Sequence, residues 1–223
     1  DEFFKSMELE TNFIIEANNI LRFKKNLADD PTVKIPNVYL DLSSERVLVM
    51  EKLEGTPLSQ KDSLKEEGFD PKVFVKRGMK LFFKMVFHDR FFHGDLHSGN
   101  LFILPDSRIG LVDFGVVGRM SYKVRESISS MFVALANDDY ERLAYEFVDL
   151  APYNDQVDPD KFSRELRDAI APYFGLSFKN VNSGRILMEA PGIAARNHLQ
   201  VPSDLVMFFK AIVTVEGMGR LVI

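Results

Sequence analysis

The chain has 223 residues, 46% hydrophobic and 27% charged, with a formal net charge of -5 and no cysteine. This composition supports a folded core and excludes a disordered chain. The acidic balance, with no long basic run, argues against binding to a nucleic-acid backbone, and the lack of thiols excludes disulfides and thiolate metal sites.

The first residues, Asp1-Glu2-Phe3-Phe4-Lys5, lack the charged-then-apolar order of a signal peptide. The chain starts without Met inside a helical pattern, so a fragment of a longer protein is expected. From about Phe3 to Leu27 the periodicity predicts a helix, with Leu9, Phe13, Ala17, Ile20 and Leu21 on its apolar side. After Pro36, two strand-like runs, Val38–Leu40 and Arg46–Met50, flank a turn at Asp41–Glu45 and predict an antiparallel hairpin. Gly55-Thr56-Pro57 breaks the chain, and a short polar helix is expected around Ser59–Glu67.

Pro71 is placed to open a long helix whose apolar residues (Phe74, Leu81, Phe82, Met85, Val86) recur to about His88. The loop Phe91–Asp95 follows. Two short apolar runs, Leu101–Leu104 and Ile109–Val112, predict a second hairpin turning at Pro105–Ser107. From Ser121 onward the pattern is helical, with breaks near residues 137–139, 153–158, 175–183 and 200–203. Acidic residues at Asp138-Asp139 and Asp158-Pro159-Asp160 suit helix starts. The apolar stretch Leu205–Ile223 carries Lys210, Glu216 and Arg220, so it predicts a buried amphipathic helix, not a membrane span. The layout is α+β in two unequal parts.

Chemistry concentrates in His93-Gly94-Asp95-Leu96-His97-Ser98-Gly99-Asn100 and Asp113-Phe114-Gly115. A loop presents Asp95, Asn100 begins a strand, and the hairpin returns the chain so that Asp113 comes near Asn100. A carboxylate and an amide oxygen make a hard-oxygen pair suited to Mg²⁺, which keeps waters and takes phosphate oxygens as its other ligands. Asp95 is then free to orient or deprotonate an attacking hydroxyl or water. This is the arrangement of a kinase: a catalytic-loop Asp and Asn, then the Asp of Asp-Phe-Gly. The bland reading, turn and cap residues, does not explain the agreement of order and spacing. A His93–Asp95–His97 metal site is weaker than packing and backbone bonding for those histidines. The Phe-rich stretch Phe82-Phe83, Phe87 and Phe91-Phe92 is read as core before a lipid pocket.

The loop reads His-Gly-Asp where protein kinases have His-Arg-Asp, and Val116–Met120 runs almost directly into a helix. Neither a phosphorylation switch nor a peptide platform is expected. His-Gly-Asp-Leu-His-x-Gly-Asn followed by Asp-Phe-Gly-x-Val-Gly-Arg resembles the UbiB-like, aarF-domain (ABC1-type) atypical kinases. Glu10-Thr11-Asn12 and Glu16-Ala17-Asn18-Asn19 resemble that family's Glu-x-Asp and Glu-Ala-x-Asn signatures, except that position 12 is Asn, so no second-metal or regulatory role is carried over to it.

The resemblance implies a protein-kinase-like fold, with residues 1–54 a partial N-lobe and 55–223 a helical C-lobe. It implies that Glu16 pairs with an ATP-binding lysine upstream, and that Glu51, Lys52 and Leu53 form the adenine hinge. His93, Gly94, His97, Phe114 and Gly115 complete the signature. It further implies ATP and Mg²⁺ as cofactors, and an intracellular role in ubiquinone or related isoprenoid-quinone biosynthesis. Partners would be quinone-biosynthesis proteins or isoprenoid lipid, at a bacterial, mitochondrial or plastid membrane. The alternatives are an aminoglycoside- or choline-type small-molecule kinase and a non-catalytic nucleotide-binding module.

Overall fold

A computed structural model of the chain describes residues 12–60, 63–64, 69–152, 157–173 and 183–222. Helix α1 (Phe13–Asn26) is capped by Asn12, whose Oδ1 accepts the Ile14 N–H at 2.9 Å. Its buried side is Ala17, Asn19, Ile20 and Phe23. The expected apolar face is therefore corrected. Phe13 and Leu21 are exposed, and a polar residue, Asn19, is buried because it meets the backbone of Phe114. Leu9 and Glu10 lie outside the described residues.

After strand β1 (Val33–Lys34), the expected hairpin is reduced to isolated antiparallel bridges, Val38 opposite Met50 and Ser44 opposite Val47. Leu40–Leu42 forms a short 3₁₀ turn, so the expected turn at Asp41–Glu45 begins one residue early, at the end of the first expected strand. The physical reason is Ser43. Its hydroxyl donates to the Tyr39 carbonyl at 2.8 Å and accepts the Val49 N–H at 3.0 Å, replacing ladder partners with side-chain bonds. The two runs still face each other, since Tyr39 N–H reaches Val49 O and Glu51 N–H reaches Asn37 O.

Strand β2 (Thr56–Pro57) occupies the segment that the sequence marks as a break. Helix α2 (Pro71–Phe83) starts as expected, with Pro71 in its first turn and Asp70 capping Lys72 N–H at 2.9 Å. It continues as a π-helical turn, Lys84–His88. Of the polar helix expected at 59–67, residues 61–62 and 65–68 lie outside the described residues, and Leu64 is buried.

Strand β3 (Phe91–His93) precedes the loop, and β4 (Leu101–Ile103) with β5 (Ile109–Leu111) form the second hairpin as expected. Leu101 faces Leu111 and Ile103 faces Ile109. A four-stranded sheet has the order β1-β5-β4-β2, with β1 parallel to β5 and β2 antiparallel to β4, while β3 pairs separately with Val117–Arg119. The two outer strands are only two residues long and carry no period that a sequence could show. Gly55, just before β2, is needed for this edge: a Cβ there would lie 2.6 Å from the Ile103 carbonyl oxygen.

The chain divides into two compact units, Asp1–Val117 with Met218–Ile223, and Gly118–Gly217. The first holds the sheet, with α1 and α2, and its core includes Phe23, Phe82, Phe91, Phe92 and Phe114. The second is helical: α3 (Tyr122–Ala136), α4 (Tyr140–Leu150), α5 (Pro159–Ile170), α6 (Ser183–Arg196) and most of α7 (Ser203–Val222). Ser121, Asp139 and Asp158 cap the first three of these helices, each accepting a first-turn N–H. Phe147 packs edge-on against Phe162 at 5.9 Å and lies 6.3 Å from Phe209. Leu205, Phe208 and Ala211 on α7 are fully buried, as a core helix requires. Among the described residues no helix is long and apolar enough to cross a membrane.

Candidate active site

Between β3 and β4 the chain makes tight turns held by its own backbone. His97 N–H reaches Asp95 O and Asn100 N–H reaches His97 O, each at 2.9 Å. The Gly94 N–H donates to Val116 O at 2.9 Å. His93 is fully buried, and its Nδ1 accepts the Asp95 N–H at 3.1 Å. Its proton therefore sits on Nε2, which donates to Val112 O at 3.2 Å. Burial holds this imidazole below the usual histidine range, so it stays neutral. His97 is exposed, and its Nδ1 accepts the Gly99 N–H at 3.0 Å. Both rings thus serve the loop backbone, while the half-buried Asp95 carboxylate makes no hydrogen bond among the described residues.

Asn100 ties the two halves of the site together. Buried to 6% exposure, its Nδ2 donates to Asp95 O at 3.1 Å and to Asp113 Oδ2 at 3.3 Å. Because both neighbours are acceptors, the orientation of the amide is fixed and its oxygen is left for another partner. The strand pairing explains why they meet, since Leu101 and Leu111 are opposite each other and Val112 N–H donates to Asn100 O at 3.1 Å.

Asp113 itself is exposed and has φ 60°, a left-handed conformation that Asp tolerates better than most residues. Gly115, also exposed, donates its N–H to Asp113 Oδ1 at 3.4 Å. Phe114 points inward and is fully buried, its ring 5.0 Å from Phe23 and 5.4 Å from His93. The Phe114 N–H donates to Glu16 Oε1 at 3.0 Å, and its carbonyl accepts from Asn19 Nδ2 at 2.9 Å. Glu16 is held above the usual carboxylate range, first by burial and then by the nearby charge of Asp113, against the pull of the Phe114 N–H. The structure therefore brings Glu16, His93, Gly94, Asp95, Asn100, Asp113, Phe114 and Gly115 into one locality. Asn19 was legible only as a motif letter. The available signal was an amide on the apolar side of a helix, one turn after a glutamate.

The expected hinge residues make no hydrogen bond to that cluster among the described residues. Glu51 is tied structurally: Oε1 meets Lys34 Nζ at 2.7 Å and Oε2 accepts the Asn37 N–H at 2.9 Å. Lys34, then the Asn37 N–H, hold its carboxylate below the usual range. Lys52 is exposed and Leu53 is buried. The Glu51 carbonyl and the Leu53 N–H enter no backbone hydrogen bond among the described residues. Asn12 serves as a helix cap.

For Mg²⁺ the donor set fits. One carboxylate and one uncommitted amide oxygen are adjacent, both hard oxygens, and a cation completing its shell with water and phosphate needs no more from protein. Among the described residues no group of three His, Asp or Glu side chains could hold a metal alone.

Residues 1–147 match the model of the ABC1 atypical kinase-like domain, and residues 166–222 match that of the UbiB helical domain. The chain is 31% identical over 224 residues to a probable protein kinase UbiB of Histophilus somni, covering 98% of this chain and 41% of the relative. A probable protein kinase UbiB of Yersinia pestis is 33% identical over 223 residues, with the same 98% and 41% coverage. The chain thus spans about two fifths of the length of these curated relatives. Among solved structures, the complex of Rv3197 with erythromycin from Mycobacterium tuberculosis shares the fold, with TM-score 0.63 and 21% identity. That similarity covers 100% of this chain and 57% of the other. The kinase-like fold has its counterpart in these matches: the chain belongs to the ABC1 atypical kinase-like family, with a UbiB-type helical domain following.

Proposed function

We propose that the protein is a Mg²⁺-dependent ATP-binding atypical kinase or ATPase that supports ubiquinone or related isoprenoid-quinone biosynthesis. The observation that carries the reading is the Asn100 amide, which spans Asp95 and Asp113 and so binds catalytic loop and Asp-Phe-Gly into one site. Asp113 and Asn100 would hold Mg²⁺, which when bound neutralises phosphate charge. Asp95, its carboxylate uncommitted, would orient the attacking hydroxyl or water and take its proton as the oxygen bonds to the terminal phosphorus and ADP leaves. The free Glu51 carbonyl and Leu53 N–H suit an adenine edge, which needs one acceptor and one donor. Glu16 would face the ATP-binding lysine, and a cation there would offset the burial of its carboxylate. The pathway assignment rests on the name of the relatives. Contact with quinone-biosynthesis proteins, an isoprenoid lipid or a membrane surface belongs to the same reading.

The test is a thermal-shift titration of the full-length protein with ATP, with and without Mg²⁺, beside Asp113→Asn. Ligand at 100 times its dissociation constant adds about 2.7 kcal/mol of stability. A Mg²⁺-dependent rise in Tm, lost in Asp113→Asn, is expected. ATP hydrolysis above that of Asp95→Asn separates an enzyme from a binding module. Absence of any nucleotide-dependent rise refutes the proposal.

A further inference from the structure

Helix α1 meets the segment after β5 with three side chains on one stripe, Glu16, Asn19 and Phe23, spaced at i, i+3 and i+7. Phe23 supplies packing against the Phe114 ring. The two polar residues do something more specific: Glu16 holds the Phe114 N–H, and Asn19 holds the Phe114 carbonyl. One bond therefore fixes the peptide plane entering Phe114, and the other fixes the plane leaving it.

Asn19 is 4% exposed, on a helix face otherwise made of Ala17, Ile20 and Phe23. An apolar residue is the default at such a position, and a buried amide is retained only with a hydrogen-bond partner. A leucine would leave the Phe114 carbonyl without a donor. An aspartate would face that carbonyl with a second acceptor, near the carboxylates of Glu16 and Asp113. An amide donates to the Phe114 carbonyl and adds no charge beside Glu16 and Asp113.

The residue just before the clamped one is Asp113, at φ 60°. A non-glycine residue held in that region persists only where its surroundings over-determine it. The two bonds from α1 are surroundings of that kind. With the Phe114 planes held, the Asp113 side chain is directed to Asn100, 3.3 Å away.

We propose that Asn19 is a positioning residue for the metal-holding carboxylate: with Glu16 it clamps both peptide planes of Phe114, so that Asp113 keeps its left-handed conformation facing Asn100. This rests on the reading of Asn100 and Asp113 as metal ligands. Asn19 touches neither ion nor nucleotide; it acts through the backbone of Phe114. Residues that orient a metal ligand without binding the metal commonly change affinity roughly 10- to 100-fold when replaced.

The experiment titrates MgCl₂ at fixed ATP into the full-length protein, reading Tm, for wild type, Asn19→Leu and Asn19→Gln. In Asn19→Leu the half-saturating Mg²⁺ concentration should rise about tenfold or more. Asn19→Gln, which keeps a donor, should recover part of that shift. Adenosine without metal should raise the Tm of wild type and Asn19→Leu alike, because the adenine edge does not involve α1. A lower Tm in Asn19→Leu with an unchanged Mg²⁺ midpoint would reduce Asn19 to a packing residue and overturn the proposal. A wild type with no Mg²⁺ dependence would instead remove the metal reading on which the clamp rests, so the two failures are distinct. Should Asn19→Leu not fold, a crystal structure of the wild type with Mg²⁺ and a non-hydrolysable ATP analogue decides. The Asn19 Nδ2 to Phe114 O contact, and a positive φ at Asp113, must both persist there; loss of either sinks the idea.

Discussion

Replacing Phe114 by Leu tests whether the Asp-Phe-Gly segment is anchored by aromatic packing rather than by volume alone. The ring is fully buried, with centroids 5.0 Å from Phe23 and 5.4 Å from His93. Leucine refills most of the space but loses both ring pairs. At about 0.5–1.5 kcal/mol per aromatic pair, the loss is about 1–3 kcal/mol. With a urea slope of about 2 kcal/mol per molar, the unfolding midpoint should fall by about 0.5–1.5 M. The assay is urea-dependent amide exchange at Leu101–Ile103 and Ile109–Leu111, which reports the unit containing the ring. Phe83→Leu is the control. Phe83 is 43% exposed although it lies 5.9 Å from Phe87, so its loss should stay below about 0.5 kcal/mol. A Phe23→Leu, Phe114→Leu double mutant should show a coupling of about 0.5–1.5 kcal/mol. Equal costs at positions 83 and 114, or additivity with Phe23, would refute the anchoring argument.

Two glycines should respond to alanine with opposite sign. At Gly55 the new Cβ meets the Ile103 backbone at 2.6 Å, so β2 must shift and stability should fall by about 1–3 kcal/mol. At Gly78, in the middle of α2, a Cβ meets nothing within 4 Å; alanine should stabilise by about 0.4–1 kcal/mol, and differential scanning calorimetry of both variants checks the pair. The buried His93, held below its ordinary value of 6.5, contributes a pH dependence of definite sign. The unfolded chain binds its proton first, so stability is intact above pH 6.5 and declines as pH falls toward the lower folded value. Urea melts at several pH values between 7.5 and 5.5 should show that decline, and His93→Gln should flatten it. An unchanged slope in the variant would assign the decline to other groups.

Much of this protein is written locally, and the reason is physical in each case. Asp70-Pro71, Ser121 and Asp158-Pro159 announce helix starts because capping involves only neighbours in sequence. The hairpin of β4 and β5 is legible because Pro105–Ser107 separates two apolar runs, and its register then brings Asn100 and Asp113 together. Asp95, Asn100 and Asp113 could therefore be named as a group from spacing alone. The segment from Val38 to Met50 shows the limit of such reading: Ser43 diverts two backbone bonds from the ladder, and β propensity does not report where a hydroxyl will point.

Other features depend on partners far away in the chain. Strands β1 and β2 exist because β5 and β4 offer them edges, not because two residues carry a pattern. Asn19 is buried because the Phe114 carbonyl, 95 positions later, needs a donor. Spacing along the chain names the candidate residues and the turn that joins them. That one face of α1 closes on both sides of Phe114 is a long-range fact, since a hydrogen bond between distant residues leaves no trace in the periodicity of either.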